Sequence, residues 1–183
     1  MTDYEWDALF DQLKRLEEET GEILPDSPTN RVSEDSIVGK KEEHEFAALS
    51  LAKTKQVSDL VKWAEDRPIW ISWKLDGLTL VVTYDGGKLT KIVTRGNGHI
   101  GTNITHLAPA ISGIPATISE KGHLEVRGEA VISYADFEQF IIESEGDYAN
   151  PRNLASGSLT LKDIEEVKQR HIQWIPFTLV YIE

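Results

Sequence analysis

Ile69-Trp70-Ile71-Ser72-Trp73-Lys74-Leu75-Asp76-Gly77-Leu78-Thr79-Leu80-Val81-Val82-Thr83-Tyr84-Asp85-Gly86-Gly87 is the stretch on which the fold turns. Two apolar runs, 69–75 and 78–84, read as buried strands. Asp85-Gly86-Gly87 before a third run, 88–95, is a hairpin signal, because glycine supplies the positive φ that tight strand-to-strand turns need. A hairpin joins antiparallel strands, so the sheet begins antiparallel. Lys74 stands between two core runs. An ammonium is costly to bury, so either its head reaches water or the site favours the neutral amine, which is a nucleophile. Asp76 and Gly77 beside it add an acid and a point of close backbone approach.

Outward from this stretch, residues 123–132 and 173–182 read as further strands. Residues 3–19 predict an amphipathic helix, with Thr2 as N-cap, Glu5 closing a capping box, and Trp6, Leu9, Phe10, Leu13 and Leu16 facing a core. Asp3 and Asp7 share one flank of it, and Gly21 ends it. Val57 to Asp66 predicts a short helix capped near Ser58. Ser133, with Asp136 at N3, predicts a helix through Glu143, and Asn150 opens another to about Asp163. Residues 31–56 read as irregular. The expected class is α+β, with a helical N-terminal segment over 1–66 and an antiparallel-rich domain over 67–183.

Composition narrows the function. The 183 residues carry 19 basic and 31 acidic side chains, a net charge of −12. Such a chain does not grip nucleic acid by itself through phosphate neutralisation. It has no cysteine, which excludes disulfides and zinc–thiolate sites. No run of 18 apolar residues is present, so no membrane span is expected. The acidic start Met1-Thr2-Asp3-Tyr4-Glu5 is no signal peptide, and a cytoplasmic location is the default. The five histidines show no metal-ligand spacing, so no protein metal site is expected. Mg²⁺, which uses few protein ligands, would bind beside a phosphate.

Three further segments carry chemistry. Gly96-x-Gly98-x-x-Gly101 matches the dinucleotide fingerprint literally, but the strands before it are joined by a hairpin rather than a crossover helix. Arg95 at its start can hold a phosphate or ribose oxygens. In Glu125-Val126-Arg127-Gly128-Glu129 the three charged residues share one strand face. They either line a pocket or sit at a solvated edge, and Gly128 permits close approach of a ligand or another backbone. Asn150-Pro151-Arg152-Asn153 puts an arginine at a helix start, where backbone amides favour an anion.

In order and spacing, Lys74-Leu75-Asp76-Gly77, Thr94-Arg95-Gly96-Asn97-Gly98, Glu125 to Glu129 and Tyr148 to Leu159 resemble the adenylation domain of bacterial NAD-dependent DNA ligases. Pro25 to Val32 and His44 to Leu51 resemble that family's N-terminal segment, so nearly the whole chain is covered. The resemblance implies a nucleotidyltransferase (ATP-grasp-like) fold whose C-terminal part lies outside this chain. It implies that Lys74 attacks the α-phosphorus of NAD, expels nicotinamide mononucleotide and carries AMP as a phosphoramide. Asp76 and Gly77 would complete the nucleotide pocket, Arg95 and Glu129 would contact AMP (Glu129 at the ribose), and Arg152 would position phosphate. Ser50 and Leu51 would lie against the adenylate. Asp3, Trp6 and Asp7 would hold the nicotinamide mononucleotide half. Amine attack on phosphorus needs a neutral amine; a nearby guanidinium such as Arg95 favours that form and offsets phosphate charge.

The chain departs from the family pattern at Ser72, where an acid is usual; at Asn97, usually aspartate; at Trp6, usually tyrosine; and at Thr160, often arginine. The expectation is a chain that undertakes the adenylation step with NAD and Mg²⁺ and does not seal nicked DNA alone. It would reach DNA only through modules outside it, or through a complementing polypeptide. The rival classes are a non-catalytic NAD- or AMP-binding module and a Rossmann oxidoreductase; the latter would require a parallel sheet.

Overall fold

The computed structural model describes residues 3–22, 24, 27–29, 39–50, 52–144 and 148–183. Thr2, Leu51, the side chains of Asp3, Trp6 and Asp7, and most of the 25–32 linker lie outside the described residues. Contacts divide the chain into two units, Met1–Glu34 and Asp35–Glu183.

The smaller unit holds helix α1, Asp3–Thr20, as the apolar spacing predicts. Gly21 ends it at φ 70°, its N–H returning to Glu17 O at 2.9 Å. The expected core-facing stripe is corrected in part: Leu9 and Leu16 are exposed, because so small a unit has little surface with which to cover a helix face. Ser27 and Thr29 donate their hydroxyls to the Glu17 carboxylate.

The larger unit contains β1 (Lys41–Glu43), α2 (Val57–Ala64), β2 (Leu78–Asp85), β3 (Lys88–Thr94), β4 (Ile100–Thr102), a 3₁₀ turn (Thr105–Ala110), β5 (Leu124–Val131), α3 (Tyr134–Ser144), α4 (Pro151–Ser158), α5 (Ile164–Lys168) and β6 (Gln173–Ile182). Four strands make one sheet in the order β3-β2-β5-β6, and β1 pairs with β4. Among the described residues every pair of these strands is antiparallel. That disposes of the parallel sheet a Rossmann oxidoreductase needs.

Alternation along β2 sets the layers. Leu80, Val82 and Tyr84 point to one face and are buried with Ile92, Ala130 and Trp174. Leu107 of the 3₁₀ turn, Leu154 and Ala155 of α4, and Val167 of α5 close over them. Each fully buried aliphatic side chain there contributes about 1.5–3 kcal/mol. The opposite face carries Thr79, Val81 and Thr83, paired in register with Glu129, Arg127 and Glu125.

Three expectations are corrected. Residues 69–75 form no strand, and Trp70 is 100% and Trp73 92% exposed. An apolar run becomes a strand only when a neighbouring edge accepts its hydrogen bonds, and no described strand pairs with this one. Lys74, expected between two core strands, is consequently exposed. The helix expected from Asn150 to Asp163 is two helices: tight turns at Thr160 and Leu161 close α4, and Asp163 caps α5 through Glu165 N–H at 2.9 Å. The cap of α2 is Gln56 rather than Ser58, with Thr54 Oγ1 accepting from Gln56 N–H at 3.0 Å. The Ser133–Asp136 capping box forms as expected: Asp136 N–H reaches Ser133 Oγ at 3.0 Å, and the Ser133 hydroxyl donates back at 2.5 Å.

Candidate functional site

The sheet face bearing Glu125, Arg127 and Glu129 is covered by chain rather than lying at a solvated edge, since Arg127 donates to Phe46 O and Ala47 O of the segment that crosses it. Glu125 is 3% exposed, so that face is no solvated edge. Glu129 is the hinge of the arrangement. One carboxylate oxygen accepts from Gly77 N–H at 3.1 Å and the other from the Thr79 hydroxyl at 2.9 Å. The register that sets Thr79 opposite Glu129 makes this bridge local. It fastens the end of the Lys74–Gly77 segment to β5.

Gly77 is required there by close approach. A β-carbon would stand 2.1 Å from Ala130 O, far inside contact distance, so only a hydrogen lets the two backbones meet. The close approach expected at Gly128 also exists, but an indole fills it: a β-carbon would meet the Trp174 ring at 2.4 Å.

Asp76 is exposed and accepts from Arg152 Nη1 at 2.9 Å. That arginine sits in the first turn of α4, where Asn150 caps through Asn153 N–H at 2.8 Å and Pro151 fills the first helical position. Both partners of the pair are well exposed, so it contributes at most about 1 kcal/mol of stability. Its consequence is geometric: it brings the first and last of the sequence motifs together.

Arg95 lies where β3 leaves the sheet. Its N–H bonds Thr79 O at 2.9 Å and its guanidinium donates to Ser50 Oγ at 3.3 Å. The glycines after it serve a tight return into β4. A β-carbon on Gly96 would lie 1.9 Å from Ile100 O, and one on Gly101 1.7 Å from Thr94 O. The literal dinucleotide fingerprint is therefore a turn between antiparallel strands. Asn97 shapes that turn, its side-chain oxygen accepting from His99 N–H at 2.9 Å and Ile100 N–H at 2.8 Å.

Residues 44–50 lie across this turn as a strap. His44 N–H reaches His99 O at 2.8 Å, Ala48 N–H reaches Gly98 O at 2.7 Å, and His44 Nε2 meets Arg95 O at 3.0 Å. Burial holds the His44 imidazole below its ordinary pKa, with the hydrogen bond to Arg95 O acting against that. Beside the strap, His123 Nδ1 lies 2.6 Å from Asp85 and Nε2 3.3 Å from Glu45. The hydrogen bond that His123 donates to Asp85 raises the pKa of His123 and lowers that of Asp85. Burial pushes the Glu125 carboxyl up, against the attraction of Arg127.

Thus Lys74, Asp76, Gly77, Glu129 and Arg152 are linked through the Lys74–Gly77 segment, and Arg95 joins Ser50. Leu51 and the side chains of Asp3, Trp6 and Asp7 lie outside the described residues.

The chain's likeness to known proteins agrees with these motifs. Residues 40–183 match the family model of the NAD-dependent DNA ligase adenylation domain. Residues 1–33 match that of the DNA ligase-like N-terminal NAD⁺-binding domain. The chain belongs to the NAD-dependent DNA ligase adenylation-domain family. A DNA ligase of Lachnoclostridium phytofermentans is 44% identical over 187 residues, covering 100% of this chain and 29% of that protein. One from Ruminiclostridium cellulolyticum is 43% identical over 98% of this chain and 28% of its own length. One from Leptospira biflexa is 41% identical over 94% of this chain and 27% of its own length. The chain thus spans under a third of the length of the ligases it matches.

Within this adenylation domain the sequence patterns alone assign no role to Thr79 or Arg127, and give His44 only membership of a segment. Arg127 was discoverable from period-2 alternation, since it shares a face with Glu129. Thr79 needed the β2–β5 register, which no local pattern encodes.

Proposed function

We propose that this chain carries the lysine-adenylation step of an NAD-dependent ligase. The Lys74 Nζ lone pair attacks the α-phosphorus of NAD. The bond from that phosphorus to the bridging oxygen breaks, and nicotinamide mononucleotide leaves with the electron pair. Nζ sheds its proton to water, which an exposed lysine can do directly, and AMP stays on Nζ as a phosphoramide. The observation that carries the reading is the Glu129 bridge to Gly77 and Thr79, together with the family match. It ties the end of the segment bearing Lys74 to the sheet face bearing the other motif residues. Positioning of this kind supplies much of the catalysis in phosphoryl and nucleotidyl transfer.

The remaining roles follow from chemistry and placement. Arg95, beside Ser50, offers its guanidinium to the phosphate or ribose of the adenylate half. Glu129 accepts a ribose hydroxyl on the lone pairs that Gly77 N–H and the Thr79 hydroxyl leave free. Arg152 neutralises charge on phosphate, with Asp76 orienting it. The family resemblance alone would set Leu51 with Ser50 against the adenylate and give Asp3, Trp6 and Asp7 the nicotinamide mononucleotide half. The fold this implies is a nucleotidyltransferase of the ATP-grasp-like kind, and the compartment is the cytoplasm. Nicked DNA is the substrate of the later steps, through regions outside this chain or on a complementing polypeptide.

Mg²⁺ would bind beside the NAD phosphates, with few protein ligands; among the described residues no three His, Asp or Glu side chains form a cluster that would hold it on their own. No step is routed through a metal.

Incubation with NAD labelled in its nicotinamide half tests the proposal. The wild-type chain releases labelled mononucleotide in proportion to protein, and Lys74→Ala releases none. Nucleotide binding with no release from the wild type would instead favour a non-catalytic binding module.

A further inference from the structure

The strap 44–50 carries Ser50 to the Arg95 guanidinium, yet its own sequence gives it little to hold on with. It forms no helix or strand. Its two ends are tied by backbone bonds, His44 N–H to His99 O and Ala48 N–H to Gly98 O. Between those ties one side chain reaches across from β5. Arg127 Nη2 donates to Phe46 O at 3.1 Å and to Ala47 O at 3.0 Å. Two successive carbonyls on one guanidinium nitrogen fix both the height of the strap and its rotation. A carbonyl pressed against a sheet without a donor costs about 1–3 kcal/mol. Glu125, 3.7 Å from Arg127, offsets the guanidinium charge. Stacking of Phe46 on Tyr181, with ring centroids 5.1 Å apart, presses the strap onto β6. Ala48 is buried against the turn, where a β-carbon on Gly98 would come 3.2 Å from Ala48 O.

We propose that Arg127 is a positioning residue for the nucleotide: by clamping Phe46 and Ala47 to β5 it sets where Ser50 meets Arg95, and so how tightly the adenylate half of NAD is held. This rests on the function proposed above. Arg127 acts through the strap and touches no reacting atom. Its loss therefore weakens nucleotide binding and leaves the chemical step alone once the site is filled.

Two variants and two readouts test it. Arg127→Met keeps the apolar stem and removes the donors. Arg127→Lys keeps a charge and a single donor point that can serve both carbonyls less rigidly. NAD is titrated against single-turnover formation of the adenylated chain, followed by intact mass. For Arg127→Met the half-saturating NAD concentration rises about tenfold, or about 1.4 kcal/mol, with Arg127→Lys between it and wild type. The limiting rate constant stays within about twofold of wild type in both. Hydrogen exchange at the His44 and Ala48 amides speeds up in the same order, with the melting temperature confirming that each variant is folded. An unchanged titration with unchanged exchange overturns the clamp. A fall in limiting rate with an unchanged titration overturns it too, since that would make Arg127 a catalytic group. Wild-type protein that neither binds NAD nor gains adenylate fails the function itself, a result distinct from a reactive wild type with unaltered variants.

Discussion

Gly77 and Gly101 both face severe steric demands, yet alanine should cost stability mainly at Gly101 and activity mainly at Gly77. A β-carbon at Gly77 would lie 2.1 Å from Ala130 O, and one at Gly101 1.7 Å from Thr94 O. Each clash exceeds a full ångström against ordinary contact distance, so one backbone must move. At Gly101 both backbones are held: Gly101 pairs with Glu42 of β1, and Thr94 lies at the end of β3, paired with Leu80. Relief there breaks ladder hydrogen bonds and disturbs Thr102 N–H on Thr94 Oγ1. The cost is about 3 kcal/mol or more, within the range for backbone-incompatible substitutions. For a chain of this size each kcal/mol moves the melting temperature by about 2–4 °C, so Gly101→Ala should melt roughly 6–12 °C lower. At Gly77 the preceding residues 69–76 form no strand, and the cheaper relief is for that segment to lift. The loss is then the Gly77–Glu129 hydrogen bond, a bond to a charged group worth about 1.5–3 kcal/mol, and less than that if water replaces the amide. Gly77→Ala should melt within about 5 °C of wild type while losing at least tenfold in NAD-dependent mass gain. Calorimetry and intact-mass kinetics on the same samples decide it. Equal melting losses in the two variants would refute the idea that the segment is anchored only at its end. Undiminished adenylation in Gly77→Ala would refute the idea that this anchor positions Lys74.

Other outcomes follow from the same contacts. Glu129→Gln keeps an acceptor for Gly77 N–H and an amide that can donate to the Thr79 hydroxyl, so its stability should change by no more than about 1 kcal/mol, while NAD-dependent adenylation falls at least tenfold; a matched fall in both would make Glu129 merely structural. Leu154→Ala, in the fully buried core, should cost about 2–5 kcal/mol by chemical denaturation, and a loss under 1 kcal/mol would mean that core is not packed as described. His44 of the strap and His123 beside it carry opposite signs. His123 has a raised folded pKa, so its contribution is fully present below its unfolded value and is lost as pH rises through the folded one. His44 has a lowered folded pKa, so its contribution is present above its unfolded value and is lost as pH falls towards the folded one. The melting deficit of His123→Asn relative to wild type should therefore be larger at pH 6 than at pH 8.5, and that of His44→Asn larger at pH 8.5; deficits independent of pH would contradict both assignments.

The hairpin of β2 and β3 was legible because Asp85-Gly86-Gly87 and the flanking alternation are local signals. So were the Ser133–Asp136 box and the Asn150 cap. The run 69–75 misled for a physical reason. Apolarity reports what a segment gains from burial, not whether an edge exists to receive its backbone. Lys41-Glu42-Glu43 misled in the opposite sense. Nothing apolar marks it, yet it pairs with Ile100 to Thr102, with Lys41 Nζ also donating to Thr102 Oγ1 at 3.0 Å. The site was legible as separate motifs, and period-2 spacing grouped Glu125, Arg127 and Glu129 correctly. Whether that face was wet or covered depended on the strap, docked from some 80 residues away in sequence, and on the register that sets Thr79 against Glu129.

Lys74 carries the central claim, and mapping the adduct tests it most directly. The chain is incubated with NAD, digested, and its peptides sequenced by mass. The account predicts one adenylate per chain, on Lys74, absent from Lys74→Arg. An adenylate on any other residue, one that persists in Lys74→Arg, or none at saturating NAD would contradict it.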